Sequence, residues 1–138
     1  MGKIKQVLLV DDSRATNFFN KTIIKKTDCV QEVLVAENGE EAIQFIKSGN
    51  VPEVIFLDIN MPIMNGWEFL SEVQKFDKEL TKTVVVLMIG AALNPEEEKL
   101  AYSFPYVKEF KEKMLTTKTV KEIVEKYFHK ECKLIEQA

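Results

Sequence analysis

Four short apolar runs recur along the chain, and each is followed by a segment with helical punctuation. The runs are Val7-Leu8-Leu9-Val10, Val33-Leu34-Val35-Ala36, Val54-Ile55-Phe56-Leu57 and Val84-Val85-Val86-Leu87-Met88-Ile89, with Tyr106 to Phe110 a weaker fifth. Continuous β-branched and apolar stretches of this length predict strands buried on both faces, as in a parallel sheet. Between them lie helix starts. Ser13 or Asp12 is placed to cap a helix from about Arg14 to Lys26. Asn38 with Glu41, and Asn65 with Glu68, read as capping boxes. Asn94-Pro95-Glu96-Glu97 places a cap, a proline at the first helical position and acids in the first turn. Thr119 and Glu122 are the cap expected for a last helix, whose Val120, Ile123, Val124, Tyr127 and Phe128 form one apolar face. Strand then helix, five times over, predicts a parallel sheet with helices on both faces. In such sheets working residues gather at the carboxyl ends of the strands.

That geometry gives three carboxylates a common address. Asp11 and Asp12 follow the first run, and Asp58 follows the third. If these strands are neighbours, the three groups converge, and like charges packed together are costly without a cation. With no Cys or His nearby, the set selects a hard, oxygen-seeking ion, magnesium before others. Taken singly, each group has an ordinary alternative: Asp11-Asp12-Ser13 as a helix cap, and Asp58 as the start of a turn through Asn60, Pro62, Asn65 and Gly66. Capping and turning do not explain why both acidic positions end buried strands on one sheet edge.

Composition narrows the classes. The 138 residues amount to one domain, expected to span 1–138 with a core over about 5–128. Residues 129–138 either extend the last helix or fray. A net charge of −3, with no basic run at either end, argues against a nucleic-acid binder. No stretch approaches the length of a membrane span, and no signal sequence is legible. Cys29 and Cys132 form no metal-binding pattern and are expected as free thiols in a reducing, cytoplasmic setting. His129, the only histidine, falls near the end of the last helix, where a cation suits the helix dipole. Trp67 is expected to pack.

Val7 through Ser13, the block Val54 to Gly66 with Asp58, Pro62 and Gly66 at its fixed points, and Lys113 near the fifth strand resemble the response-regulator receiver family of two-component signalling, typically bacterial. The resemblance covers about Lys5 to Phe128. It implies a flavodoxin-like doubly wound sheet with strand order 2-1-3-4-5. It implies that Asp58 is the nucleophile that takes a phosphoryl group from a phosphohistidine on a sensor histidine kinase or histidine phosphotransfer protein. Mg2+ would be held by Asp11, Asp12, Asp58 and the backbone carbonyl of Asn60, with Lys113 contacting the phosphoryl group. Phosphoryl transfer of this kind needs a positioned nucleophile and neutralised charge on the equatorial oxygens. The domain would be a signalling switch and not an enzyme toward other molecules. Its readout to a downstream protein would pass through the fourth helix, fifth strand and fifth helix, about Asn94 to Phe128, with Phe110 as the switch aromatic.

Two positions depart from the family pattern. Where the family has Thr or Ser at the end of the fourth strand, followed by a small residue, this chain has Gly90 and Ala91, or Ile89 if the alignment shifts by one. Neither choice supplies a hydroxyl. Where the family has a cis-linked proline after the lysine, this chain has Met114. A cis bond there costs about 2.5–4 kcal/mol. The bond is either trans, with an altered loop that carries Lys113 away from Asp58, or a strained cis. These departures support an alternative, a degenerate receiver that binds protein without phosphate. A haloacid-dehalogenase-like phosphatase, suggested by Asp58-Ile59-Asn60, lacks the second aspartate of that motif and any cap insertion.

Overall fold

The computed structural model describes residues 3–76, 83–90 and 93–129. Strands β1 (Ile4–Val10), β2 (Val30–Ala36), β3 (Val54–Asp58), β4 (Val84–Ile89) and β5 (Val107–Glu112) alternate with helices α1 (Arg14–Thr27), α2 (Gly39–Lys47), α3 (Gly66–Phe76), α4 (Pro95–Tyr102) and α5 (Thr117–Phe128). All strand pairs are parallel, in the order β2-β1-β3-β4-β5. This is the flavodoxin-like sheet the resemblance implied.

The apolar runs divide between two cores because successive strand side chains point to opposite faces. Leu8, Val10, Ile55, Leu57, Val85 and Leu87 meet Ile43 and Ile46 of α2, Phe69, Leu70 and Val73 of α3, and Ala101 of α4. Val7, Leu9, Val54, Phe56, Val86 and Met88 face the other way, onto Ile24 of α1 and Val120, Ile123 and Val124 of α5. Trp67 packs, as expected, at the margin of the first core.

The edge strands are longer and more polar than the apolar pattern indicates. β5 runs on through Lys111 and Glu112, and β2 begins at Val30 before Gln31 and Glu32. An edge strand keeps its ladder on one side only, so polar side chains are tolerated there. The last helix starts earlier than predicted. Its cap is Thr116, whose Oγ1 accepts the Thr119 N–H at 3.1 Å, so Thr119 lies inside the first turn. Ser13 caps α1, its Oγ accepting the Thr16 N–H at 3.2 Å. His129 is the C-cap of α5, at φ 56°. Cys29 is disulfide-bonded, which corrects the expectation of a free thiol and removes that argument for a reducing compartment. Cys132 lies outside the described residues. No helix among the described residues is long and apolar enough to cross a membrane.

Candidate functional site

The site forms where β1 and β3 run side by side and end together. Val10 pairs with Leu57, so the next residue of each strand brings Asp11 beside Asp58. Asp58 is the last residue of β3 and is buried, and Asp11 is buried just beyond β1. Asp12, one residue further, is exposed. One carboxylate oxygen from each of the three lies within 4.8 Å of the others.

Local hydrogen bonds account for this arrangement. The Asp11 N–H donates to the Ala36 carbonyl at 3.1 Å, continuing the β1–β2 ladder by one step. Its Oδ1 accepts the Ser13 N–H at 2.9 Å, which turns the chain into α1. Behind Asp58, the Gly66 N–H donates to the Ile59 carbonyl at 2.8 Å and closes the loop onto the strand end. A Cβ at Gly66 would lie 2.8 Å from the Asp58 carbonyl oxygen and 2.9 Å from the Ile59 Cα, so the close approach requires glycine. The loop also holds Ile63 at φ 67°, a left-handed conformation rare for a β-branched residue.

Lys113 completes the group. Its Nζ lies 3.0 Å from Asp58 Oδ1 and 3.7 Å from Asp11 Oδ2. No peptide bond among the described residues is cis, so Lys113–Met114 is trans. The expected consequence, withdrawal of the lysine, does not follow. The Lys113 N–H is anchored on the Ile89 carbonyl at 3.0 Å, and the turn is absorbed by Met114, which sits at φ 70°.

The electrostatics are those of an unneutralised anionic site. Burial pushes the Asp11 carboxyl above the ordinary carboxylate value. The charges of Asp58 and Asp12 add to this, and the Ser13 N–H and Lys113 oppose it. Burial depresses the Lys113 ammonium, but its hydrogen bond to Asp58 and the charges of Asp11 and Asp58 outweigh that and hold it above the ordinary lysine value. Asp58 Oδ2 is buried with no hydrogen-bond partner among the described residues. A buried carboxylate oxygen without a donor, beside two further carboxylates, is a donor set that fits a hard divalent cation.

A cleft of about 340 Å³ opens from Asp58 and Lys113 past Asn60, Met88, Ile89 and Gly90 to Leu93 and Glu97. Asn60 therefore borders the cleft. Gly90 forms the wall where the family pattern has a hydroxyl side chain, and a Cβ there would touch nothing within 4 Å. Ala91 lies outside the described residues. Phe110 is half-buried against the first core, and its ring packs against Tyr102 of α4, tilted by 34° at 5.0 Å between centroids.

Two residues of the site were not anticipated. Asn17 and Asn20 are buried on α1. The Asn17 Nδ2 donates to the Asp11 carbonyl at 2.7 Å, and the Asn20 Oδ1 accepts the Leu115 N–H at 2.9 Å. Their only sequence signal is the spacing: two asparagines three residues apart on the face that should be apolar.

The response regulator receiver domain family model matches residues 7–133. The chain is 40% identical over 74 residues to the chemotaxis protein CheY of Halobacterium salinarum, covering 53% of this chain and 58% of that protein. It is 35% identical over 98 residues to a protein-glutamate methylesterase/protein-glutamine glutaminase of Methanococcus maripaludis, covering 71% of this chain and a quarter (25%) of that protein. This chain thus spans only part of the length of these relatives. A two-component response regulator from Cytophaga hutchinsonii superposes with a TM-score of 0.83 at 32% identity, covering 93% of this chain and 99% of that one. The chain belongs to the response-regulator receiver family, the signalling domain of two-component and chemotaxis systems.

Proposed function

We propose that this receiver is a phosphoacceptor: Asp58 takes a phosphoryl group from the phosphohistidine of a sensor histidine kinase or phosphotransfer protein. The observation that carries the reading is the Lys113–Asp58 contact of 3.0 Å beside an Asp58 Oδ2 that has no hydrogen-bond partner among the described residues. One oxygen is held and the other is left for chemistry. Attack by Asp58 forms a new O–P bond as the P–N bond to the donor imidazole breaks, and the donor nitrogen keeps the electron pair. Asp11, Asp12, Asp58 and the Asn60 carbonyl would hold Mg2+, which when bound supplies neutralisation of the phosphoryl oxygens. Lys113, 3.0 Å from Asp58 Oδ1, contributes a further positive charge beside the nucleophile. Burial of Asp11 and Asp58 keeps competing water from screening these charges.

Readout would pass through the face built by α4, β5 and α5 toward a downstream protein, with the Phe110–Tyr102 contact as its movable part. The open wall at Gly90 favours a second reading, in which the domain binds its partner without phosphate, because no hydroxyl is present to draw the β4–α4 loop toward a phosphoryl group. Incubation with acetyl phosphate and Mg2+ separates the two. Labelling that disappears in Asp58→Asn supports the acceptor, and no labelling of the wild type supports the binding module.

A further inference from the structure

We propose that Asn20 is a positioning residue for phosphoryl transfer: from the buried face of α1 it holds the Lys113-Met114-Leu115 turn in the shape that keeps Lys113 on Asp58. The inference rests on the phosphoacceptor reading of Asp58.

The turn is pinned at both ends. The Lys113 N–H is fixed on the Ile89 carbonyl at 3.0 Å, and the Leu115 N–H on the Asn20 Oδ1 at 2.9 Å, a buried contact between residues 95 apart in the chain. Between the two anchors Met114 stands at φ 70°, 45% exposed and outside both core clusters, so core packing does not impose that conformation. A non-glycine residue stays in the left-handed region only where its surroundings over-determine it. Here they are the two anchors. A trans bond without proline leaves this turn free to relax, and relaxation would draw Lys113 off Asp58. Asn20 opposes it.

The composition of α1 supports the assignment. Asparagine is a poor helix former, and a buried amide needs partners to offset its desolvation. Asn17 and Asn20, three apart and so on one face, use their amides on the two charged loops: Asn17 on the Asp11 carbonyl, Asn20 on Leu115. Leucine at position 20 would suit the second core better. Its amide serves the loop.

The test measures two quantities on Asn20→Ala: the rate of Asp58 phosphorylation by acetyl phosphate, and Mg2+ affinity from the fluorescence of Trp67, the only tryptophan. The expected result is a rate lower by roughly 10- to 100-fold, the usual consequence of a displaced charged group. Mg2+ affinity should be unchanged or tighter, because the departing Lys113 is a competing cation. Adding Met114→Gly should restore most of the rate, since glycine holds φ 70° without strain. In the wild type the Leu115 amide should be protected from hydrogen exchange like a core amide, a result that does not depend on any variant folding. Equal rates in wild type and Asn20→Ala overturn the inference. So does joint loss of rate and Mg2+ affinity without rescue by Met114→Gly, and so does fast exchange at Leu115. A wild type that accepts no phosphoryl group overturns the phosphoacceptor reading and this inference with it. A labelled wild type with an equally labelled Asn20→Ala overturns the inference alone.

Discussion

The Lys113 Nζ lies 3.0 Å from Asp58 Oδ1, across a turn whose next peptide bond is trans and whose next residue, Met114, is left-handed at φ 70°. The lysine is held by the backbone around it and by the carboxylates it faces. It is therefore placed as a fixed charge beside Asp58 and not as a flexible surface group. Lys113→Ala should slow phosphorylation from acetyl phosphate by roughly 10²-fold or more, the scale of removing one preorganised charge from a reacting group. It should leave Mg2+ binding intact or tighter. Time courses and a Mg2+ titration of the same variant check both.

Asp11 carries the opposite balance. Its carboxylate is buried against Asp58 and Asp12, and its raised proton affinity marks a charge that opposes folding when no cation is present. Asp11→Asn keeps an oxygen for the Ser13 N–H and removes that repulsion. Thermal unfolding without divalent cations should show a higher Tm for Asp11→Asn than for the wild type. Saturating Mg2+ should raise the wild-type Tm more than that of the variant, because ligand stabilisation grows with the logarithm of concentration over Kd and the variant binds more weakly.

Gly66 is required by contact, not by its own φ. A methyl group at this position meets the Asp58 carbonyl oxygen at 2.8 Å and the Ile59 Cα at 2.9 Å, both backbone atoms. Backbone cannot swing aside as a side chain can. Gly66→Ala should destabilise the fold by about 1–3 kcal/mol, the cost of overpacking a tight site. It should also slow the proposed phosphorylation, because the displaced atoms belong to Asp58 and its neighbour Ile59. Denaturant unfolding and labelling rates measure the two effects.

Gly90 faces open space, so Gly90→Thr should fold without loss. A hydroxyl at the wall of the cleft gives a phosphoryl group one more donor, worth about 1.5–3 kcal/mol for a hydrogen bond to a charged group. The phosphorylation-induced change at Phe110 and Tyr102, followed by NMR, should be larger in Gly90→Thr than in the wild type. An unchanged response would show that the missing hydroxyl does not limit the switch.

Glu109 of β5 ties the sheet edge to α5. Its carboxylate accepts from the Tyr127 hydroxyl at 2.7 Å and from the Lys126 Nζ at 2.9 Å, and it pairs with Lys111 at 3.3 Å. Burial pushes Glu109 up, but these three partners outweigh burial and hold the carboxyl below its ordinary value of 4.5. The folded chain keeps Glu109 ionised to lower pH than the unfolded chain does. Its contribution is therefore complete above 4.5 and fades as the pH falls through the lower folded value. Glu109→Gln should cost about 1.5 kcal/mol near neutral pH, the low end for such hydrogen bonds because the lysine is solvated. Denaturation curves at neutral and acid pH should converge at the acid end.

The parts of this molecule that can be read along the chain are those set by local pattern. The runs ending at Val10, Leu57 and Ile89 announce central strands because both of their faces are buried. The sheet order and the convergence of Asp11, Asp12 and Asp58 then follow from the topology implied by the family likeness. What escapes is set by contacts distant in sequence. Lys111 and Glu112 look unlike a strand because β5 is an edge, and the cap is Thr116, just after a turn bound to α1 through Leu115. Asn20 gives no hint of its role until Leu115, 95 residues away, is seen beside it. For the same reason the place of Lys113 beside Asp58 without a proline is not legible locally: the hydrogen bond from Leu115 to Asn20, proposed above as the constraint, spans 95 residues.

Asp58 is proposed to accept a phosphoryl group in a site completed by Mg2+ and Lys113. Intact-protein mass spectrometry after incubation with acetyl phosphate and Mg2+ tests this proposal most directly. The predicted result is the mass of one added phosphoryl group on the wild type, absent when Mg2+ is chelated and absent in Asp58→Asn. A wild type that gains no mass, or an Asp58→Asn chain that still gains it, would contradict the account.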